Sequence, residues 1–320
     1  MSYDENQPSA PKRRPLRGNI AIALAALAPT ALAGWLLWQA MSGPGDSEPP
    51  KVLPLPSEPV TAGKGGSTAS GASSPAASAT PAPTSASPSS GKSEGAGPLA
   101  GKVVVVDPGH NRGNFQHTSE INELVDIGTN HKECDTTGTS TNAGYTEAEF
   151  TFDVSQRLRT LLEKQGATVQ FTHNNDRPFG PCVDERAQIG NKAKADAVVS
   201  VHADGSDVGH RGFHVILPAL VKGGAADTAA IVGPSRDLGE RIAGKFLAAT
   251  GSAPSNYVGS GTGLDVRKDL GGLNLSTVPK VFIECGNMRD PKDAALLTSS
   301  GWRQKAAQGL ADGITSYLKG

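Results

Sequence analysis

The sequence predicts an α/β domain over residues 99–320: a twisted, mostly parallel sheet flanked by helices on both faces. Two observations carry that expectation. Short apolar runs alternate with longer stretches of helical period, as in strand–helix–strand units. Three of the apolar runs also end on an ionisable residue, and open α/β sheets collect ligands at the carboxyl ends of their strands. All seven histidines and all three cysteines of the 320-residue chain fall in this stretch.

Taken in order, residues 1–19 form a basic segment with Lys12, Arg13, Arg14 and Arg17. Residues 20–41 follow as an apolar run long enough to span a bilayer. The basic cluster before it predicts an N-terminal end on the cytoplasmic side. Ala31-Leu32-Ala33 would suit a cleaved secretory signal. The run continues past it through Trp35 and Trp38, which favours a retained transmembrane anchor. Both readings place the rest of the chain outside the cytoplasm. Residues 42–98 are almost entirely Ala, Ser, Pro, Gly and Thr, so they predict a disordered linker.

Within the domain, the four valines from Val103 to Val106 predict a first strand over residues 102–106. Pro108 and Gly109 stop it. A polar insert leads to a helix over 147–164, ended by Gly166. Strands are expected over 168–172, 197–201, 213–217 and 281–284. Helices are expected over 183–193, 235–250 and 301–318. The formal net charge of −1 offers no basic surface for nucleic acid.

His110, His202 and Glu284 leave three of these strands at the same end, which suggests one shared site. The helix adds a fourth group. On a 3.6-residue period Phe150, Val154, Leu158 and Leu161 make one apolar stripe. Glu147 falls inside that stripe at the first turn, where an unpaired carboxylate is costly. Glu149 falls on the other side, where the helix dipole accounts for it. Two histidines and a carboxylate with an open position suit a catalytic Zn²⁺, which lowers the pKa of a bound water to about 7. Such chemistry needs a further carboxylate, not a ligand, to move a proton. Glu284 fits that role.

Cys134 and Cys182 lie among polar, turn-forming residues, whereas Cys285 follows an apolar strand. An exported chain can keep a disulfide, so Cys134 is paired with Cys182 and Cys285 is left free, although sequence does not fix connectivity.

These residues resemble the zinc-dependent N-acetylmuramoyl-L-alanine amidases of the amidase-3 type. The resemblance covers about residues 101–320 and rests on "VVVVDPGH", "GYTEAEFTFDVSQRLRTLLEKQGATVQFT", "RAQIGNKAKADAVVSVHADG" and "VFIECGNMRD", in the family's order. The insert "CDTTGTSTNAGY" with "GPCVDER", "HRGFHV" and "DLGGLNL" is similar to the actinobacterial branch, which carries a disulfide between insert and loop. The resemblance places the zinc ligands on His110, Glu147 and His202 and the catalytic glutamate on Glu284. It implies hydrolysis of the amide between N-acetylmuramic acid and the L-alanine of the stem peptide in peptidoglycan. A monomer is expected. No separate wall-binding module is recognisable, so the linker and anchor would hold the domain near the wall.

Other readings compete. Another wall-directed zinc hydrolase, a peptidase or deacetylase, could use the same four residues. A catalytically silent wall-binding member is a third reading, against which the presence of Glu284 weighs. His173 also follows an apolar strand and is the leading rival ligand. His117 and His131 in the insert read as solvated, and His214 as a residue facing away from Phe213 and Val215 that could line the site. Arg186 and Asp204 fit either the site rim or structural ion pairs.

Overall fold

A computed structural model describes residues 97–320 of the chain. The segments expected as a basic leader (1–19) and an anchor or signal (20–41), with nearly all of the linker (42–98), lie outside the described residues. Among the described residues no helix is long and apolar enough to cross a membrane.

Six strands form the main sheet: β1 (Val103–Pro108), β2 (Thr168–Phe171), β3 (Ala197–Asp204), β4 (His214–Pro218), β5 (Leu264–Arg267) and β6 (Lys280–Asn287). Their spatial order is β2-β1-β3-β6-β4-β5. The four strands β2, β1, β3 and β6 run parallel. β4 pairs antiparallel with β6, and β5 runs parallel to β4. The sheet is therefore mixed but mostly parallel, as expected.

Burial on both faces explains the unbroken valine run. Val104 and Val106 pack into the main core, while Val105 packs with Ala195 and Val198 on the other side. That division follows the two-residue period of a strand. Helices α1 (Glu147–Lys164), α3 (Val232–Thr250) and α5 (Ser300–Lys319) supply the main core through residues such as Leu158, Ile242 and Leu310. Helix α2 (Val183–Lys192) brings Ile189 to the opposite face.

α1 starts where its sequence says it should. Thr146 caps it in a reciprocal pair with Glu149: Glu149 N–H donates to the Thr146 hydroxyl, and Thr146 N–H donates to the Glu149 carboxylate. The expected apolar stripe is buried at Phe150, Val154 and Leu158 and continues at Leu162, with Leu161 only partly buried. Glu147 lies in the same buried row at 4% exposure. Strand register then sets Glu284 of β6 beside His202 of β3.

The shorter elements were not expected. β5 reads "LDVR", with no apolar run to announce it, and it forms by pairing with β4 at the sheet edge. Helix α4 (Pro291–Leu297) is capped by Asp290. In the insert, Leu124–Asp126 and His131–Glu133 pair as a hairpin.

Candidate metal centre

The centre is assembled from the exits of β1 and β3 and the first turn of α1. Beyond Pro108 the chain turns so sharply that His110 takes φ 60°, a left-handed conformation that a bulky residue adopts only when its surroundings enforce it. Gly109 makes the turn possible, because a Cβ there would collide with the imidazole of His202. His110 Nδ1 donates to the Thr136 carbonyl at 3.1 Å. That bond puts the proton on Nδ1 and leaves Nε2 facing the Glu147 carboxylate at 3.2 Å.

Glu147 faces both histidines. Its Oε1 lies 2.9 Å from His202 Nδ1, and its Oε2 is the oxygen opposite His110. Backbone N–H groups fix the carboxylate: Ala203 donates to Oε1 at 3.2 Å and Thr139 to Oε2 at 2.9 Å. Gly138, at φ 73°, keeps the insert close, since a side chain there would meet the His110 ring and Glu147 Oε2. His202 stacks on Phe282, with ring centroids 5.1 Å apart.

One ligand atom from each of His110, Glu147 and His202 lies within 4.8 Å of the other two. Burial works against ionising Glu147, yet the two histidines hold its carboxyl well below the usual range. Burial likewise works against charging His110, but Glu147 and Asp135 raise its pKa well above the ordinary value. A cation at the meeting point would satisfy all three groups. Two imidazole nitrogens and one carboxylate form a donor set that fits zinc.

Glu284 differs from Glu147 in kind. Its Oε2 is buried without a hydrogen-bond partner. Burial, then the nearby charges of Glu147 and Asp204, push its pKa well above the carboxylate range. A carboxyl that favours its protonated form can hold a proton and pass it on. It lines the same cleft as the three presumed ligands, together with Arg267, Leu270 and Asp204.

Beneath the centre lies a buried ionic network that the sequence did not reveal. Asp107 accepts from Arg186 at 2.8 Å, Lys280 at 3.2 Å, Thr172 at 2.7 Å and Ser200 at 2.6 Å. Arg186 also donates to the carbonyls of Pro108 and His110 and to Asp135. It therefore holds both the turn that carries His110 and the loop that orients its ring. Between the two readings of Arg186, this is structural ion pairing placed under the site.

The remaining candidates separate cleanly. His173 is buried outside the cluster; its Nε2 donates to the Pro108 carbonyl and its Nδ1 accepts from Asn175 N–H, so neither nitrogen is free for a metal. His117 pairs with Glu120, and His131 is exposed on the hairpin. His214 is buried and sits opposite Glu284 in the β4–β6 register. Asp204 lines the cleft and accepts from the Tyr257 hydroxyl at 2.6 Å. Cys134 and Cys182 form a disulfide, and Cys285 is free and buried. Tyr257 and Arg267 were missed because each lies in or beside an irregular segment without periodicity.

Comparison with known proteins gives a consistent picture. Residues 104–316 match the family described as N-acetylmuramoyl-L-alanine amidase (Amidase_3). An N-acetylmuramoyl-L-alanine amidase of Mycobacterium tuberculosis is 42% identical over 221 residues, spanning 69% of this chain and 88% of that protein. The crystal structure of the amidase Ami1 from Mycobacterium smegmatis superposes with a TM-score of 0.64 at 39% identity, covering 69% of this chain and 98% of that one. The apo form of Ami1 from Mycobacterium abscessus gives the same TM-score, 0.64, at 40% identity, over 69% and 100% of the two chains.

Proposed function

This chain belongs to the Amidase_3 family of N-acetylmuramoyl-L-alanine amidases, and on that premise we propose that His110, Glu147 and His202 hold one zinc ion while Glu284 moves the proton. The protein is a peptidoglycan amidase, acting on the amide between N-acetylmuramic acid and the L-alanine of the stem peptide. Bound zinc supplies Lewis-acid polarisation of the scissile carbonyl and a water activated at neutral pH.

The chain's own residues do the rest. His110 and His202 would each offer a ring nitrogen, held by a second contact: the Thr136 carbonyl for one, the Phe282 ring for the other. Glu147 supplies the negative charge and is fixed by two backbone N–H groups. Glu284 accepts a proton from the attacking water and passes it to the departing alanine nitrogen. The observation that carries this reading is the contrast between two neighbouring carboxylates. One is fully hydrogen-bonded between two imidazoles, and the other is buried with a free oxygen.

The apolar run 20–41 supports export, with the domain acting outside the cytoplasm and tethered to the membrane through its linker. The test of function is mass spectrometry of muropeptides treated with the full chain. An amidase releases the intact stem peptide with a new alanine amino terminus and leaves a free lactyl carboxylate on the sugar. Cleavage between amino acids, or loss of acetate, would instead mean a peptidase or a deacetylase.

A further inference from the structure

The proposed metal centre leans on a segment with no regular structure of its own. Between the hairpin strand His131–Glu133 and the start of α1 at Glu147 there is neither helix nor strand. Yet this segment touches two of the three presumed ligands. The Thr136 carbonyl accepts from His110 Nδ1, and Thr139 N–H donates to Glu147 Oε2. We propose that the Cys134–Cys182 disulfide and Asn114 position this segment against His110, so that the metal centre is complete only in the oxidised chain. This rests on the zinc reading and adds to it the condition under which the centre forms.

One end of the segment is fixed by α1, where Thr146 forms the cap. The other end is fixed at Cys134. Its sulfur is bonded to Cys182, the N-cap of α2, and its carbonyl accepts from Val183 N–H at 2.7 Å. The next two residues turn to the site. Asp135 accepts from Arg186 at 2.9 Å, and Thr136 carries the carbonyl that orients the His110 ring. The contact that places a presumed ligand thus stands two residues beyond the crosslink.

Asn114 spans the same gap without a covalent bond. It is 1% exposed, and a buried amide must find partners for its polar atoms. Its Nδ2 donates to the Thr136 carbonyl at 2.7 Å, and its Oδ1 accepts from Gly180 N–H at 2.9 Å. Gly180 lies two residues before Cys182, so Asn114 and the disulfide tie the same two stretches together. The Thr136 carbonyl accepts from both Asn114 and His110, which uses both its lone pairs and fixes its aim. Groups that orient a metal ligand in this way typically change metal affinity by about 10–100-fold when they are lost.

The switching step is thiol–disulfide exchange with a dithiol. One thiolate of the dithiol attacks a sulfur of the pair and breaks the S–S bond, forming a mixed disulfide. Its second thiolate then displaces the chain. The chain takes up two electrons and two protons, as the thiols of Cys134 and Cys182, and the dithiol leaves as its own disulfide. Cys134 is buried and Cys182 partly exposed, so a reductant meets the bond from the Cys182 side. The cytoplasm keeps thiols reduced, whereas compartments outside it let disulfides persist. On the export reading, a chain still inside the cytoplasm has a slack hold on His110 and binds zinc weakly. A wall hydrolase built this way stays idle until it is outside.

The experiment measures zinc affinity of the full chain by competition with a chromophoric chelator. Four forms are compared: the oxidised chain, the same chain reduced with a phosphine, Cys134→Ala with Cys182→Ala, and Asn114→Ala with its disulfide intact. Leu310→Ala, a core change on α5, controls for lost stability alone. All are held at a temperature where circular dichroism shows the metal-free protein folded. The oxidised chain should bind tightest, and the three altered forms at least about tenfold more weakly. Leu310→Ala should melt lower yet bind zinc within about twofold of the unaltered protein. Unchanged affinity in the folded double variant would make the disulfide a staple only and overturn the proposal. So would unchanged affinity in Asn114→Ala, or a loss in Leu310→Ala that matches the others. If the double variant does not fold, the reduced chain and Asn114→Ala still decide. Absence of zinc binding by the oxidised, unaltered chain would overturn the zinc reading and this proposal with it, a result distinct from any difference among the forms.

Discussion

Glu147 and Glu284 carry the same functional group and lie in the same cleft, yet their surroundings differ. Glu147 is tied by two imidazoles and two backbone donors, so its charge is fixed. Glu284 keeps one oxygen unpartnered, and its proton is correspondingly easy to retain. The same accounting decides between histidines. His173 is satisfied on both nitrogens, so His173→Asn should leave the bound zinc unchanged, whereas His110→Ala and His202→Ala should each remove most of it. Metal analysis of the three purified variants checks this; loss of zinc in His173→Asn alone would move the centre. Arg186 acts at one remove. Replacing it by methionine strips Asp135 of its cation and weakens the grip on the His110 turn. Removing one partner of a buried ion pair typically costs about 3–5 kcal/mol, to be read as the shift in a chemical-denaturation midpoint.

At the scale of elements, the disulfide joins the insert to the N-cap of α2, since Cys182 is the residue that precedes that helix. Its reduction should cost about 2–4 kcal/mol of stability, measured by denaturation with and without reductant. Cys285, buried in β6, should react with an alkylating agent only after unfolding; prompt labelling of the native protein would contradict its placement. What could be read beforehand followed periodicity. β1, β3 and β6 announce themselves because burial on both faces demands unbroken apolar runs, and each delivers its ionisable residue at a predictable end. α1 was legible from its 3.6-residue stripe, and the anomaly of Glu147 within that stripe was itself the pointer to its cluster with His110 and His202. β5 and the insert hairpin were not legible, because edge pairing and loop closure leave no repeating pattern. The Asp107–Arg186–Lys280–Asp135 network was hidden for another reason. Its members are scattered along the chain, and only strand register and the α2 position bring them under one turn.

At the scale of the whole molecule, a centre built from distant strand ends exists only in the folded sheet. Zinc bound there should therefore stabilise the fold in proportion to its occupancy, and a chelator should lower the melting temperature without reductant. The most direct test of the central claim pairs zinc content with muropeptide turnover for Glu284→Gln and Glu147→Gln in the full chain. Glu284→Gln keeps size and hydrogen-bonding capacity but cannot cycle a proton. It should hold zinc near the level of the unaltered protein while turnover falls at least about 10²-fold. Glu147→Gln should lose zinc first and activity as a consequence. If Glu284→Gln loses zinc while Glu147→Gln retains it, the two glutamates have exchanged roles; if Glu284→Gln keeps both zinc and full turnover, the mechanism assigned to this centre is wrong.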